Sequence, residues 1–193
     1  VLIGMMAYAG PARQAERALA PFRALAEPLA DLVRPGPYSM MYLPEDPAMK
    51  PALAVRTLFK DDIDINTARI ILDMLKSCDA PMHMAQIRVL GGAAARISSP
   101  STAYAHRDAE ALVAFLAMDG SLRAAARHTE WAASCVAALG GATRGTYVNF
   151  LGDQGSDMLS RSYTEATWQR LRQVKRRYDP TNLFRLNQNI PPA

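Results

Sequence analysis

The run Glu110–Met118 (EALVAFLAM) is almost wholly apolar and ends at an Asp119-Gly120 turn. A run this short, bounded by a turn signal, reads as a strand covered by the rest of its domain rather than as a helix. It therefore demands other elements to cover it, and the flanking sequence supplies them. Residues 54–60 (AVRTLFK) alternate as a strand. Residues 82–90 (MHMAQIRVL) alternate as well, with Met84, Gln86 and Arg88 on one side and Ala85, Ile87 and Val89 on the other. Gly91-Gly92 interrupts that strand, and AAARI is expected to continue it as a second strand or a bulge. The opening residues 1–9 also read as a strand.

Helical spacing predicts four further elements. Residues 11–33 place Ala15, Ala18, Leu19, Phe22, Leu25, Ala26 and Leu29 on one side, and Pro21 must kink this helix or start a second one. Residues 66–78 put Ala68, Ile71, Leu72 and Leu75 inward, with Asn66 or Asp64 as cap. Residues 121–139 begin at Ser121 and carry a stripe of Leu122, Ala125, Thr129, Ala132, Val136 and Leu139. Residues 164–178 begin at Thr164, turn Trp168, Leu171, Val174 and Tyr178 inward, and stop at Asp179-Pro180. Five prolines between residues 34 and 52 mark a loop, with a short strand at Tyr38–Leu43. Strands and helices in this order predict an α+β fold, an antiparallel β-sheet with helices packed mainly on one face.

Bulk properties narrow the function classes. The chain has 193 residues, the size of one domain, with 50% apolar and 21% charged residues, so a sizeable core is expected and global disorder is not. No run approaches the roughly 20 apolar residues of a membrane span. The first residue is Val rather than Met and begins a strand-like run, which suggests a piece of something longer. The net charge of +4 is concentrated in Arg170–Arg177, at the end of a helix where cations meet the dipole favourably. No aromatic interleaving or known nucleic-acid motif accompanies it, so no nucleic-acid partner is expected. The two cysteines, Cys78 and Cys135, cannot build a disulfide framework and fit a reduced, cytoplasmic setting. His83 and His128 have no ligand-spaced neighbours, so no metal is expected.

Three stretches carry polar groups beyond what plain structure needs. In QIRVLGGAAAR, Gln86 and Arg88 share a strand face before a glycine pair that would let a backbone or a flat ligand approach closely. In TAYAHRD (102–108), His106, Arg107 and Asp108 read either as acid–base groups or as hydrogen-bonded loop anchors. In the tail, GTYVNFLGD sets Tyr147 and Asn149 two residues apart, on one side of an extended chain, and Asn187-Gln188-Asn189 adds uncharged donors and acceptors. A phenol and an amide together can bond a heteroaromatic edge or a substrate. With an ordinary pKa near 10, a tyrosine needs its phenolate stabilised before it serves as a base at neutral pH.

These same residues resemble the berberine-bridge-enzyme-like flavin oxidases of the vanillyl-alcohol-oxidase-type superfamily. YVNFLGD, a helix, and LRQVKRRYDPTNLFRLNQNIPP stand in the order and spacing of that family's C-terminal signature. VLGGAAARI followed by TAYAHRDA is similar to its central strand and loop, and AYAGPARQAERALAPFRAL with PYSMMY to its strand–helix start. The resemblance implies an FAD-dependent oxidoreductase that oxidises an alcohol-type small molecule by hydride transfer to flavin, with dioxygen as acceptor. It implies that residues 1–144 are a substrate-binding domain and that 145–193 return to an N-terminal FAD-binding domain this chain lacks. By that resemblance Tyr147 is the catalytic base, Asn149, Asn187 and Gln188 meet the cofactor, and Gln86 and Arg88 meet the substrate. Plant members carry a catalytic glutamate after the glycine pair, where this chain has Arg96. Apart from its partner domain, the chain is expected to be inactive and to form a dimer or carry a mobile tail. The competing reading is a stand-alone small-molecule-binding or assembly module without catalysis.

Overall fold

The computed structural model describes residues 1–42, 52–141, 144–152 and 154–193, except the side chain of Leu122. The chain divides into two compact units, Val1–Ala48 and Met49–Ala193.

In the first unit, helix α1 spans Ala12–Arg23. It ends two residues after Pro21, which lacks the N–H that would continue the ladder. Arg23 closes the end by pairing with Glu16 and Asp31, each at 2.6 Å. The helix expected over 11–33 is thus shorter. The strand expected at residues 1–9 is absent: the segment has no regular structure, and Val1, Leu2 and Ile3 are exposed. Alternation suits a strand only where another strand satisfies its backbone groups. Tyr38–Met41 forms a 3-10 turn rather than the start of a strand, and Leu43 lies outside the described residues.

In the second unit, β1 (Ala52–Lys60), β2 (Met82–Val89) and β3 (Ala111–Asp119) form an antiparallel sheet in the order β1-β3-β2. The apolar run is the central strand, as its composition requires, and Val113, Ala114, Phe115 and Ala117 are fully buried. Helices α2 (Ile65–Lys76) and α4 (Ala125–Ala138) supply one covering layer. Their core joins Leu58, Val113 and Phe115 of the sheet to Ile71, Ala132, Cys135 and Leu139. Asp64 caps α2 through the Thr67 N–H at 2.7 Å. Leu72, expected inward, is 58% exposed; Leu75 packs on the core as expected, and Ile70 and Met74 join it.

Along α4 and its cap the buried residues are His128, Ala132, Cys135 and Leu139; Ala132 and Leu139 lie on the expected stripe, Val136 packs on the same core, and His128 and Cys135 join it. A 3-10 turn, Leu122–Ala124, precedes the helix, which begins at Ala125 rather than at Ser121. Ser121 accordingly accepts from the Arg123 N–H at 3.3 Å and caps this turn, not the helix.

After β2, Gly91 (φ 103°) and Gly92 (φ 54°) reverse the chain into a single helical turn, α3 (Gly92–Ala95), in place of the expected strand or bulge. Nothing lies within 4 Å of a Cβ built at either glycine, so the backbone angles, not a close approach, require them. Helices α5 (Gly155–Ser160) and α6 (Glu165–Tyr178) follow, and Thr164 caps α6 as expected. Trp168 and Leu171 are half-buried, but Val174 and Tyr178, expected inward, are 48% and 74% exposed. Leu183, Phe184 and Leu186 beyond them are exposed too.

Candidate functional site

The second face of the sheet, opposite α2 and α4, is built from cross-strand rows. They are Leu53–Met118–Met82, Val55–Leu116–Met84, Thr57–Ala114–Gln86 and Phe59–Leu112–Arg88. The rows change from apolar at the Leu53 end to polar at the Arg88 end. Phe59 and Leu112 are buried there beneath Leu90, Tyr104, Tyr147 and Phe150.

Segment 144–152 is fastened to this end almost residue by residue. The Arg144 guanidinium pairs with Asp61 at 3.0 Å and Asp108 at 3.2 Å. Gly145 has φ 87°, and a Cβ there would collide with the backbone carbonyl of Arg161, so only glycine fits. The Thr146 hydroxyl meets that of Thr57 at 2.6 Å, both side chains buried. Tyr147 packs edge-on to Tyr104, ring centroids 6.0 Å apart, and against Phe150 at 5.7 Å. Residues 148–150 then make a 3-10 turn, not the extended path expected from spacing. That turn lays Asn149 on its neighbour, and Asn149 Nδ2 donates to Tyr147 Oη at 2.7 Å.

The strand-borne pair joins the same cluster. Arg88 donates to Gln86 Oε1 at 3.2 Å, and its guanidinium lies over the Phe150 ring at 4.7 Å. From the tail, Gln188 Nε2 donates to the Gly152 carbonyl at 2.8 Å and ties residues 187–189 to the turn. Asn187 is exposed with φ 58°, and its carbonyl accepts from the Asn189 N–H at 3.0 Å. Tyr147, Asn149, Gln86, Arg88 and Gln188 are thus brought into one neighbourhood, while Asn187 sits at the turn beside it. Arg96 caps α3 and makes no contact with this cluster among the described residues.

Sequence spacing missed the aromatic wall of Phe59, Tyr104 and Phe150, because its contacts join distant segments. The TAYAHRD loop resolves as an anchor. His106 is buried, stacked on Phe59 at 4.0 Å; Arg107 donates to the Ala94 carbonyl at 2.6 Å and to Thr102; Asp108 pairs with Arg144. An open cavity of about 320 Å³ lies between this loop and the Gly91–Gly92 turn.

Burial holds the His106 imidazole below the usual histidine range. The unfolded chain then binds more protons once pH falls below about 6.5, so stability is complete above that value and is lost between it and the lower folded value. Melting temperature should therefore be flat above about pH 7 and fall on acidification below about 6.5, with a shallower fall in His106→Gln. Equal slopes in the two proteins would clear His106 of this dependence. Burial likewise pushes the Cys135 thiol up to about 12, which suits a core residue and not a nucleophile. Among the described residues no helix is long and apolar enough to cross a membrane, and no cluster of His, Cys, Asp or Glu is placed to hold a metal ion.

The site is one wall, not a closed cavity. A phenol, two amides and an aromatic ring line it. Such a wall fits the edge of a flat heteroaromatic ring, and Asn189 Oδ1 is buried with no partner among the described residues.

Residues 146–191 match the family described as berberine and berberine like. That match spans the C-terminal segment that holds Tyr147, Asn149 and Gln188. The chain is 36% identical over 115 residues to the uncharacterised FAD-linked oxidoreductase YgaK of Bacillus subtilis (strain 168), a match covering 58% of this chain and 25% of the relative. Among solved structures, the wild-type BBE-like 1 of Physcomitrella patens superposes with a TM-score of 0.69 at 17% identity, covering 94% of this chain and 43% of that one. A chitooligosaccharide oxidase superposes at 0.67 and 19% identity, covering 96% and 45%. The chain shares its α+β fold with both structures, and YgaK is named an FAD-linked oxidoreductase. It spans a quarter of the length of YgaK and under half of either structure.

Proposed function

We propose that this chain forms the substrate-facing wall of an FAD-dependent oxidoreductase that oxidises an alcohol-type small molecule. Residues 1–144 serve as its substrate domain, and residues 145–193 return to a flavin-binding domain. That assignment gives the exposed Val174, Tyr178, Leu183, Phe184 and Leu186 an apolar surface to cover. Without it, the chain is inactive and prone to dimerise. A bound FAD would supply the hydride acceptor for the alcohol carbon, which would become a carbonyl, with dioxygen as the oxidant that restores the flavin.

The chain's own part is the proton. Tyr147, as phenolate, takes the substrate hydroxyl proton at Oη. The observation that carries this is the 2.7 Å bond from Asn149, which steadies charge on that oxygen and leaves another lone pair for the substrate. The second Nδ2 hydrogen and Oδ1 of Asn149 remain for the cofactor edge, with Asn187 and Gln188 beside it, while Gln86 and Arg88 hold the substrate. Asn149→Leu in the flavin-loaded protein should slow anaerobic flavin reduction about 10-fold at neutral pH, the scale of a lost hydrogen bond to a charged oxygen. An unaltered rate would remove Asn149 from the proton's path.

A further inference from the structure

The second face of the sheet carries a single charge. No Asp or Glu stands on any of its cross-strand rows, and Arg88 is its one cation. Three other arginines of this unit are engaged: Arg144 and Arg127 are ion-paired, and Arg107 is taken up by backbone and threonine oxygens. Arg88 instead makes no ion pair among the described residues. One Nη2 hydrogen goes to Gln86, and the Phe150 ring supports the flat guanidinium from below. A guanidinium fixed at one corner and on one face, with its other N–H groups free, is preorganised for a planar two-oxygen anion.

What lies behind it is apolar. Val55, Leu116 and Met84 are half-buried, and beyond them Leu53 and Met82 are about half exposed beside Met118. A sugar ring needs donors and acceptors along its rim, and these six side chains offer thioethers and methyl groups only. Methionines are adaptable and favour flat apolar or aromatic surfaces. The two apolar rows begin four residues, roughly 13 Å, along the strands from the Arg88 backbone. The Arg88 guanidinium leans toward them onto Gln86, which brings the gap to about the reach of a phenyl or longer group attached to a short acid.

We infer that the substrate is an apolar hydroxy acid, its carboxylate held by Arg88 and its apolar body laid over Met84, Leu116 and Met118. The inference rests on the reading of Tyr147 above, because Phe150 joins the two: it touches the Tyr147 ring on one side and carries Arg88 on the other. The alcohol carbon then falls between the carboxylate and the phenol. Gln86 is the positioning residue that turns the guanidinium.

The test uses the oxidised, flavin-loaded full-length protein and a size-matched pair, 3-phenyllactate and its methyl ester. Binding is read from the flavin absorbance difference, so no turnover is required. The acid should bind at least about 10-fold more tightly than the ester, the scale of a charge-assisted bidentate contact. Arg88→Gln should erase that ratio and Arg88→Lys should keep part of it, with flavin content unchanged. Equal binding of acid and ester, no binding of the acid, or tighter binding of neutral diacetylchitobiose would overturn the inference. So would an Arg88→Gln protein that loses flavin while keeping the acid-to-ester ratio, since the charge would then serve the cofactor. Tyr147→Phe separates the two readings: it should keep the acid preference in binding even though reduction slows. If reduction does not slow while the preference stands, the base assignment fails and the Arg88 inference survives.

Discussion

Tyr147→Phe is expected to slow anaerobic flavin reduction by about 10²-fold or more in the flavin-loaded protein, the usual scale for a lost general base. The substitution removes one oxygen and keeps the ring. Contacts with Tyr104 and Phe150 therefore persist, as does the Thr57–Thr146 bond that fixes the preceding residue. Flavin content and melting temperature should stay near those of the parent. That control matters, because a variant that also melted early would report on folding and not on the proton. Reduction at the parental rate would rule out Tyr147 as the base, whatever the cofactor.

The largest effect on stability is expected at Phe115→Ala. Phe115 is fully buried in the central strand, edge-on to Trp131 at 6.2 Å, and bonded on both sides by neighbouring strands. Helices α2 and α4 converge on this one ring's cluster, so the sheet and the helices cannot close the gap by shifting one element. Truncation of a buried Phe costs about 3–5 kcal/mol, a large share of the roughly 5–15 kcal/mol that holds a typical domain together. Urea unfolding should show a much lower midpoint at an unchanged slope. A loss under about 1 kcal/mol would mean that the site collapses readily and that the core is anchored elsewhere.

What could be read from the chain follows from the range of the forces involved. The apolar run at 110–118 is legible as a covered strand from its length and the turn that ends it, and β1, β2 and the caps at Asp64 and Thr164 are local consequences of alternation and of short polar side chains. Residues 1–9 show the limit, because pairing decides a strand and the residues themselves do not hold the partner. The core face of α4 is legible through Ala132, Val136 and Leu139, but its start is not, since a 3-10 turn ahead of a helix leaves no mark in hydrophobic spacing. Val174 and Tyr178 looked like core because their spacing is that of a buried face. Spacing does not distinguish a face covered within the unit from one left open. At the site, Tyr147, Asn149, Gln86 and Arg88 stood out as polar groups in apolar surroundings. Phe59, Tyr104 and Phe150 did not, being ordinary aromatics until three distant segments meet.

The fastening of segment 144–152 has a consequence for heat. The core between the sheet and its two helices is complete without this segment, which covers the other face and is held by one doubly paired arginine, one hydroxyl pair across 89 residues of sequence, the buried Leu151 and a few ring contacts. Such a segment can open locally while the sheet stays closed. Thermal inactivation should therefore precede loss of secondary structure, and the Tyr147 amide should exchange its hydrogen sooner than that of Phe115.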